Sequence, residues 1–358
     1  MPKNSKLNFY QEHGSTASLK ENRLIRKLTA FFGRSPQQIN STLESDAELI
    51  RLENGKILAI TLDNIVEEIA TGLYDDPYLI GRMTVIVNMS DLAAVGAKPI
   101  GMVLSQQFPK NFPEDSLLEI QKGIADACKE SGTFILGGDT NENIGLQSGG
   151  AAIGWIEDEK IITRKGCKAG DVLFASAHLG LGGAYAFEKL LQKQAKLIQF
   201  QPKPKLKEGE LIRTLGSSCI DTSDGFFAAL ANIMELNQIG FQLTPPLRNT
   251  IHPDALRLAK HANLPPWFFL TGPHGDFELL FTIPEEKVPV FLKQSSLISW
   301  QPLRLGHTIK ASKVVLPYEK NPVEIDVFKI ANLFSASQDN PEIYLNQLLK
   351  LHQLWQLQ

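Results

Sequence analysis

Four short stretches set carboxylates beside Gly, Ser or Thr, at what read as strand ends or helix ends. They are Thr61-Leu62-Asp63, Asn88-Met89-Ser90-Asp91, Gly137-Gly138-Asp139-Thr140 and Asp221-Thr222-Ser223-Asp224-Gly225. If they meet in space, Asp63, Asp91, Asp139, Asp221 and Asp224 form a cluster of like charges that cannot all stay ionised without a cation. Hard oxygen ligands call for Mg²⁺, which keeps waters and also binds substrate phosphates. The implied chemistry is a magnesium–nucleotide site drawn from distant parts of the chain. Singly, each stretch is equally a helix cap or a turn. Residues 221–225 read as a helix start with Ser223 or Asp224 as N-cap, and a helix start of small residues is also a phosphate cradle.

No P-loop and no kinase catalytic-loop signature is present. His178, His252, His261 and His307 stand in no metal-ligand spacing. His274 lies in Gly272-Pro-His-Gly-Asp-Phe-Glu278, a Gly-flanked loop before an apolar strand, where a side chain either lines a site or packs. Arg164 is by composition a surface charge, and in a cleft between domains it would be a phosphate clamp.

These residues need elements to position them. Residues 19–32 are amphipathic and stop at Gly33, and residues 57–61 read as a strand that delivers Asp63. Asp76 as N-cap and Pro77 at the first position predict a helix running through Asp91 to Gly96. Its apolar content is too continuous for a surface helix. Residues 113–130 read as helix, 133–136 as a strand running into Gly137-Gly138, and 149–156 as another strand. The Gly-punctuated segment 164–170 is the best domain junction, dividing residues 1–165 from 166–330. Beyond it, strands are expected near 171–175 and 277–283 and helices at 182–191 and 225–236. Residues 331–358 form a tail ending in a docking helix.

The 358 residues suffice for two domains, and a net charge of −3 offers no basic field for nucleic acid or anionic lipid. Three cysteines without pattern (Cys128, Cys167, Cys219), a polar N-terminus and no bilayer-length apolar run point to a cytoplasmic protein with no membrane partner.

In order and spacing, the motifs resemble the aminoimidazole-ribonucleotide (AIR) synthase-related, PurM-like superfamily of ATP-dependent enzymes, and within it the thiamine-monophosphate kinases. The resemblance covers about residues 44–310. It rests on Glu44-Ser45-Asp46, Thr61-Leu62-Asp63, residues 88–97 (Asn-Met-Ser-Asp-Leu-Ala-Ala-Val-Gly-Ala) and Gly137-Gly-Asp-Thr140. Thr163-Arg164, Pro202 and Pro204, residues 221–225 and Gly275-Asp-Phe-Glu-Leu-Leu-Phe281 complete it. It implies a two-domain fold: an N-terminal α+β domain whose strands join a second subunit's in a dimeric β-barrel, and a C-terminal α/β domain. ATP would lie between them. By the same resemblance Asp46, Thr61, Asp63, Asp91, Asp139, Asp221 and Asp224 hold Mg²⁺ ions, while Gly138, Asp139, Arg164 and Ser223 meet ATP. Asp139, Asp221 and Arg164 would carry catalysis, a homodimer is expected, and the other substrate is a small-molecule phosphate acceptor.

The departures fall on the acceptor side. Ala70 stands where the family has a substrate-contacting His, Gly275 where it has a substrate-contacting Glu, and Leu62 where it has a Thr ligand. The expectation is a phosphotransferase whose acceptor is thiamine monophosphate or a changed molecule, with His274 and the 64–76 loop reshaped around it. Two rivals stand beside it. ATP-driven amidine or cyclisation chemistry would release ADP without a phosphorylated acceptor, and a nucleotide-binding dimer without turnover would release none.

Overall fold

Two sheets are built from consecutive parts of the chain. The computed structural model describes residues 21–192, 198–244, 246–272, 274–318, 321–337 and 340–356. The N-terminus read above as polar, and the first residues of the 19–32 segment, lie outside them. The first part runs α1 (Glu21–Thr29), β1 (Glu48–Arg51), β2 (Ile57–Asn64), α2 (Val66–Ala70), α3 (Pro77–Ala94), β3 (Lys98–Phe108), α4 (Glu114–Ser131), β4 (Ile135–Glu142) and β5 (Gln147–Ile156). The second runs β6 (Val172–Ala175), α5 (Leu181–Phe187), α6 (Leu206–Leu215), β7 (Ser218–Asp221), α7 (Phe226–Asn237), β8 (Gly240–Leu243), α8 (Pro253–Ala262), β9 (Leu279–Ile283), α9 (Val288–Leu297), β10 (Leu303–Ile309), β11 (Val314–Tyr318) and β12 (Asn321–Ile325). Three helices close the chain: α10 (Val327–Ala331), α11 (Leu333–Ala336) and α12 (Pro341–Gln356).

The first sheet has the order β1-β2-β5-β3-β4 and the second β12-β11-β8-β10-β6-β9-β7. The second is antiparallel except where β8 meets β11.

Helix α3 connects the two parts. Asp76 accepts a hydrogen bond from the Leu79 N–H at 2.8 Å and Pro77 holds the first helical position, as its sequence predicts. Nearly every residue of α3 is buried, because the helix is covered on all sides by α4, α6, β2, β5 and β7. Against α4 the two backbones all but touch. A Cβ at Gly81 would lie 1.9 Å from the Ile120 carbonyl oxygen, and one at Gly123 2.1 Å from that of Tyr78. Only glycine fits at such a crossing. The end of α3 enters a core shared with the second sheet, where Ala93 and Ala94 pack with Ile212, Cys219, Leu279 and Phe281.

Three expectations are corrected. Gly137, Gly138 and Asp139 do not follow a strand; they lie inside β4, paired in parallel with β3. Helix α7 is capped by Gly225 at φ +86°, not by Ser223 or Asp224, whose loop is turned toward Asp221 instead. The 182–191 helix regularises only over Leu181–Phe187 and then loosens into a π-turn at Glu188–Gln192. The C-terminal helix docks through Leu348 and Trp355, whose ring lies 4.3 Å from that of Trp267, and Tyr344 bonds Thr271, while Leu354 of the expected stripe is exposed.

Candidate functional site

Four segments meet at the junction of the two sheets. The loop before β1 brings Asp46, the outer half of β2 brings Thr61 and Asp63, the last full turn of α3 brings Asp91, and β7 ends on Asp221. Carboxylate oxygens of Asp46, Asp91 and Asp221 lie within 4.8 Å of one another, the spacing that one or two cations could bridge. Hydroxyls orient this trio. Thr61 Oγ1 donates to Asp91 at 2.5 Å, Ser90 Oγ to Asp221 Oδ2 at 2.7 Å and Ser223 Oγ to Asp221 Oδ1 at 2.8 Å. Arg164 Nη2 donates to Asp46 Oδ1 at 3.0 Å, and its backbone N–H to the Glu44 carbonyl at 2.9 Å, so the inter-sheet segment is tied to the Asp46 loop twice.

The electrostatics show what the trio requires. Burial, and then the neighbouring charges of Asp221, Asp46 and Asp63, push Asp91 well above the ordinary carboxylate range. Burial followed by Asp46 moves Asp221 up to about 6, although Ser90, Ser223 and Arg164 pull the other way. Burial disfavours the Arg164 cation, but Asp46, Asp221 and Asp91 outweigh it and hold the guanidinium above its usual range. One arginine does not neutralise three acids packed this closely. Asp46 Oδ2 is buried with no hydrogen-bond partner among the described residues, as is Ser45 Oγ beside it. An orphaned carboxylate oxygen inside an all-oxygen donor set fits a hard divalent cation, and Mg²⁺ suits such a set.

The other predicted residues separate. Asp63 flanks the trio: its charge is felt by Asp91, and its backbone is held by Asn88. Asp224 is exposed on the loop before α7, outside the trio. Asp139 is elsewhere. Register runs Asn64–Gly149–Ser105–Asp139 across β2, β5, β3 and β4, so Asp139 lies three strands from Asn64, about 14 Å away at ordinary strand spacing. Alternation also puts it on the helix-free face with Asn64 and Ser105, opposite the face that carries Thr61 and Asp63. Within one chain Asp139 and Gly138 are remote from Asp221.

The positions expected to meet an acceptor are Ala70, Gly275 and His274. Ala70 ends α2 and is exposed. Gly275 is buried where three backbones converge: a Cβ there would lie 1.7 Å from the Thr222 carbonyl oxygen, and a Cβ at Gly182 would lie 1.7 Å from the Gly275 oxygen. No side chain fits, let alone a glutamate. His274 does not face a site. It is buried among Tyr74, Tyr185, Phe200 and Phe277, with ring centroids 5.0–6.1 Å away. The Gly182 carbonyl can only accept, so Nδ1 carries the proton (3.1 Å), and Nε2 accepts from the Tyr74 hydroxyl at 2.7 Å. Burial lowers the His274 pKa to about 4 and keeps the ring neutral. Tyr185 on α5 donates to the Leu73 carbonyl at 2.9 Å, so the 64–76 segment is pinned to the second part of the fold twice, through His274 and through α5. Next to this packing, Phe277 sits at φ +57°, a strained conformation for a bulky side chain.

Sequence reasoning missed two buried acids beside the site. Burial raises Asp276 to about 6, where it accepts the Gly180 and Gly182 N–H groups at 2.8 Å and caps α5 from a distance. Burial raises Glu278 to about 7, against the pull of Lys205, whose Nζ lies at 3.0 Å; Ser176 also donates to it. Both acids lie in the quoted 275–281 motif, and their burial was the signal that spacing does not carry.

Residues 44–156 match the family described as AIR synthase related protein, N-terminal domain. Among curated relatives, the thiamine-monophosphate kinase of Pyrococcus horikoshii is 28% identical over 279 residues, 75% of this chain and 84% of its own length. That of Methanocaldococcus jannaschii is 30% identical over 297 residues, 77% of this chain and 89% of its own. A solved structure described as AaThiL complexed with AMPPCP and TMP superposes with a TM-score of 0.69 at 18% identity, covering 86% of this chain and 97% of that one, which establishes the shared fold. The chain belongs to the thiamine-monophosphate kinase family.

Proposed function

We propose that this protein is a Mg²⁺- and ATP-dependent phosphotransferase acting on a small phosphate-bearing acceptor, thiamine monophosphate or a molecule altered on the side that Ala70 and Gly275 would meet. The observation that carries it is the Asp46–Asp91–Asp221 trio, assembled from both parts of the chain and left one buried acceptor oxygen short of satisfaction. Asp46, Asp91 and Asp221 would hold the metal, with Asp63, Thr61 and Asp224 at the margin. When bound, Mg²⁺ would neutralise the triphosphate and polarise the transferring group. The chain's own residues position and balance charge. Ser90 and Ser223 fix the Asp221 carboxylate, Thr61 fixes Asp91, and Arg164 supplies the one cation within the cluster among the described residues. A cytoplasmic setting belongs to the same proposal, supported by three free thiols.

Asp139 and Gly138 enter the reading through a second copy. Among the described residues, strand β4 pairs only with β3, its residues are exposed, and the helix-free face beside it carries Leu62, Val103 and Trp155. Such an edge and face support strand pairing between subunits. A homodimer built there would bring the partner's Asp139 and Gly138 to the nucleotide.

The test is ADP release with Mg-ATP across thiamine monophosphate and other small phosphates, with mass detection of the product. A phosphorylated acceptor is expected. ADP and free phosphate without a phosphorylated product would favour the amidine or cyclisation branch, and ATP binding without ADP release would leave a nucleotide-binding dimer.

A further inference from the structure

The same turn of α3 grips both sides of the site, holding the Asp63 backbone on β2 through Asn88 and the Asp221 carboxylate on β7 through Ser90. Asn88 is fully buried, and its amide clamps the Asp63 backbone from both ends: Oδ1 accepts the Asp63 N–H at 3.1 Å, and Nδ2 donates to the Asp63 carbonyl at 3.3 Å. Nδ2 also donates to the Thr84 carbonyl one turn back, at 3.1 Å, which locks the clamp to the helix. Ser90, equally buried, donates to Asp221 Oδ2 on the other sheet. At 100° per residue, positions 88, 90 and 91 leave the helix in three directions. Asn88 therefore meets β2, Ser90 meets β7, and Asp91 takes the space between them.

We infer that Asn88 and Ser90 are positioning residues for the metal site, and that α3 acts through them as the gauge that sets Asp63, Asp91 and Asp221 at their mutual distances. The buried setting makes the grip effective. Asp221 has hydroxyl donors on both oxygens, Ser90 on one and Ser223 on the other, so the remaining lone pairs are held in a fixed direction. Without Ser90 the carboxylate keeps only its neighbour two residues away, and nothing ties its orientation to Asp91. Partners that orient ligands in this way typically govern metal affinity by about 10–100-fold.

The inference rests on the proposed metal-dependent reading, and the experiment separates the two. Mn²⁺ alone, without nucleotide, is titrated calorimetrically into the full-length wild-type protein and into Ser90→Ala and Asn88→Ala, alongside thermal unfolding and the KM for the acceptor. The expected result is Mn²⁺ binding by wild type, weakened about tenfold or more in each variant, with a matching rise in the metal needed for half-maximal turnover and an unchanged acceptor KM. If Ser90→Ala does not fold, Ser90→Cys keeps nearly the same size with a far weaker donor and must show the same loss. Variants that melt earlier yet bind Mn²⁺ within twofold of wild type would overturn the positioning role while leaving the site intact. A wild type that binds no Mn²⁺ would overturn both readings.

Discussion

The Tyr74 hydroxyl lies 2.7 Å from His274 Nε2, and this buried bond joins residues 200 apart in sequence across the two parts of the fold. It closes the 64–76 segment over the second part of the fold, beside Gly275. Tyr74→Phe removes the donor and leaves Nε2 buried and unsatisfied, so a loss of about 1–3 kcal/mol is expected. Urea unfolding with an unchanged m-value would confirm it, and an unchanged midpoint would show that the bond contributes nothing.

The same histidine gives a pH signature. Its pKa falls from 6.5 unfolded to about 4 folded, so the unfolded chain binds the extra proton between those values and stability drops as pH falls through that window. Above pH 6.5 the group costs nothing; by pH 4 the cost is about 3 kcal/mol. The groups facing His274 are the neutral phenols of Tyr74 and Tyr185, whose own pKa values are raised by burial. Asp276 and Glu278, raised by burial, act with the opposite sign over a similar range, so the comparison must be differential. Wild type minus His274→Gln should lose stability progressively from pH 6.5 to 4. A flat difference curve would contradict a neutral buried imidazole.

Gly275→Ala tests the close approach of the three backbones. With the added carbon 1.7 Å from the Thr222 oxygen and 2.5 Å from the Gly225 nitrogen, backbone must move, and a loss of about 3 kcal/mol is expected. Restoring the family's glutamate should be worse, not curative. A fully stable Gly275→Glu variant with improved turnover on thiamine monophosphate would show that the three backbones part readily.

Removing one carboxylate from the trio should separate stability from activity. Asp91→Asn relieves the burial and like-charge repulsion that push Asp91 upward, so the metal-free protein should gain stability. Its turnover should fall about 10²–10³-fold. Added Mg²⁺ should raise the melting temperature of wild type far more than that of the variant. Equal Mg²⁺ shifts would remove Asp91 from the metal site.

Asp139→Ala and Asp221→Ala each should abolish turnover, and co-expressing the two should restore about a quarter of wild-type activity if subunits pair at random and Asp139 acts across the interface. A mixture as inactive as its parents would place both residues in one chain's site, and an active Asp139→Ala parent would remove Asp139 from the mechanism.

Legibility from sequence followed how local each cause is. Helix α3 could be read in full, since Asp76, Pro77 and Gly96 mark its ends through chemistry within a few residues. Asp91 and Asp221 could be named because their motifs are contiguous, Asp46 only through the family resemblance, and the fold brings the three together. The face occupied by Asp139 could not be read. It depends on counting registry across four strands, including β3, whose Pro99 and Gly101 break the alternation that marks a strand and coincide with a register shift. The Lys205–Glu278 pair and the enclosure of His274 were likewise invisible, because each is a contact between segments that spacing along the chain does not relate.

The three cysteines carry a last consequence. Cys128 on α4, Cys167 between the sheets and Cys219 on β7 are all buried, and burial raises the first two thiols to about 11 and pushes Cys219 well above its ordinary range. The native chain should therefore be silent to alkylating reagents. Each thiol becomes a clock for the opening of its own neighbourhood, so mass-resolved labelling rates would show whether the two sheets come apart together or one before the other.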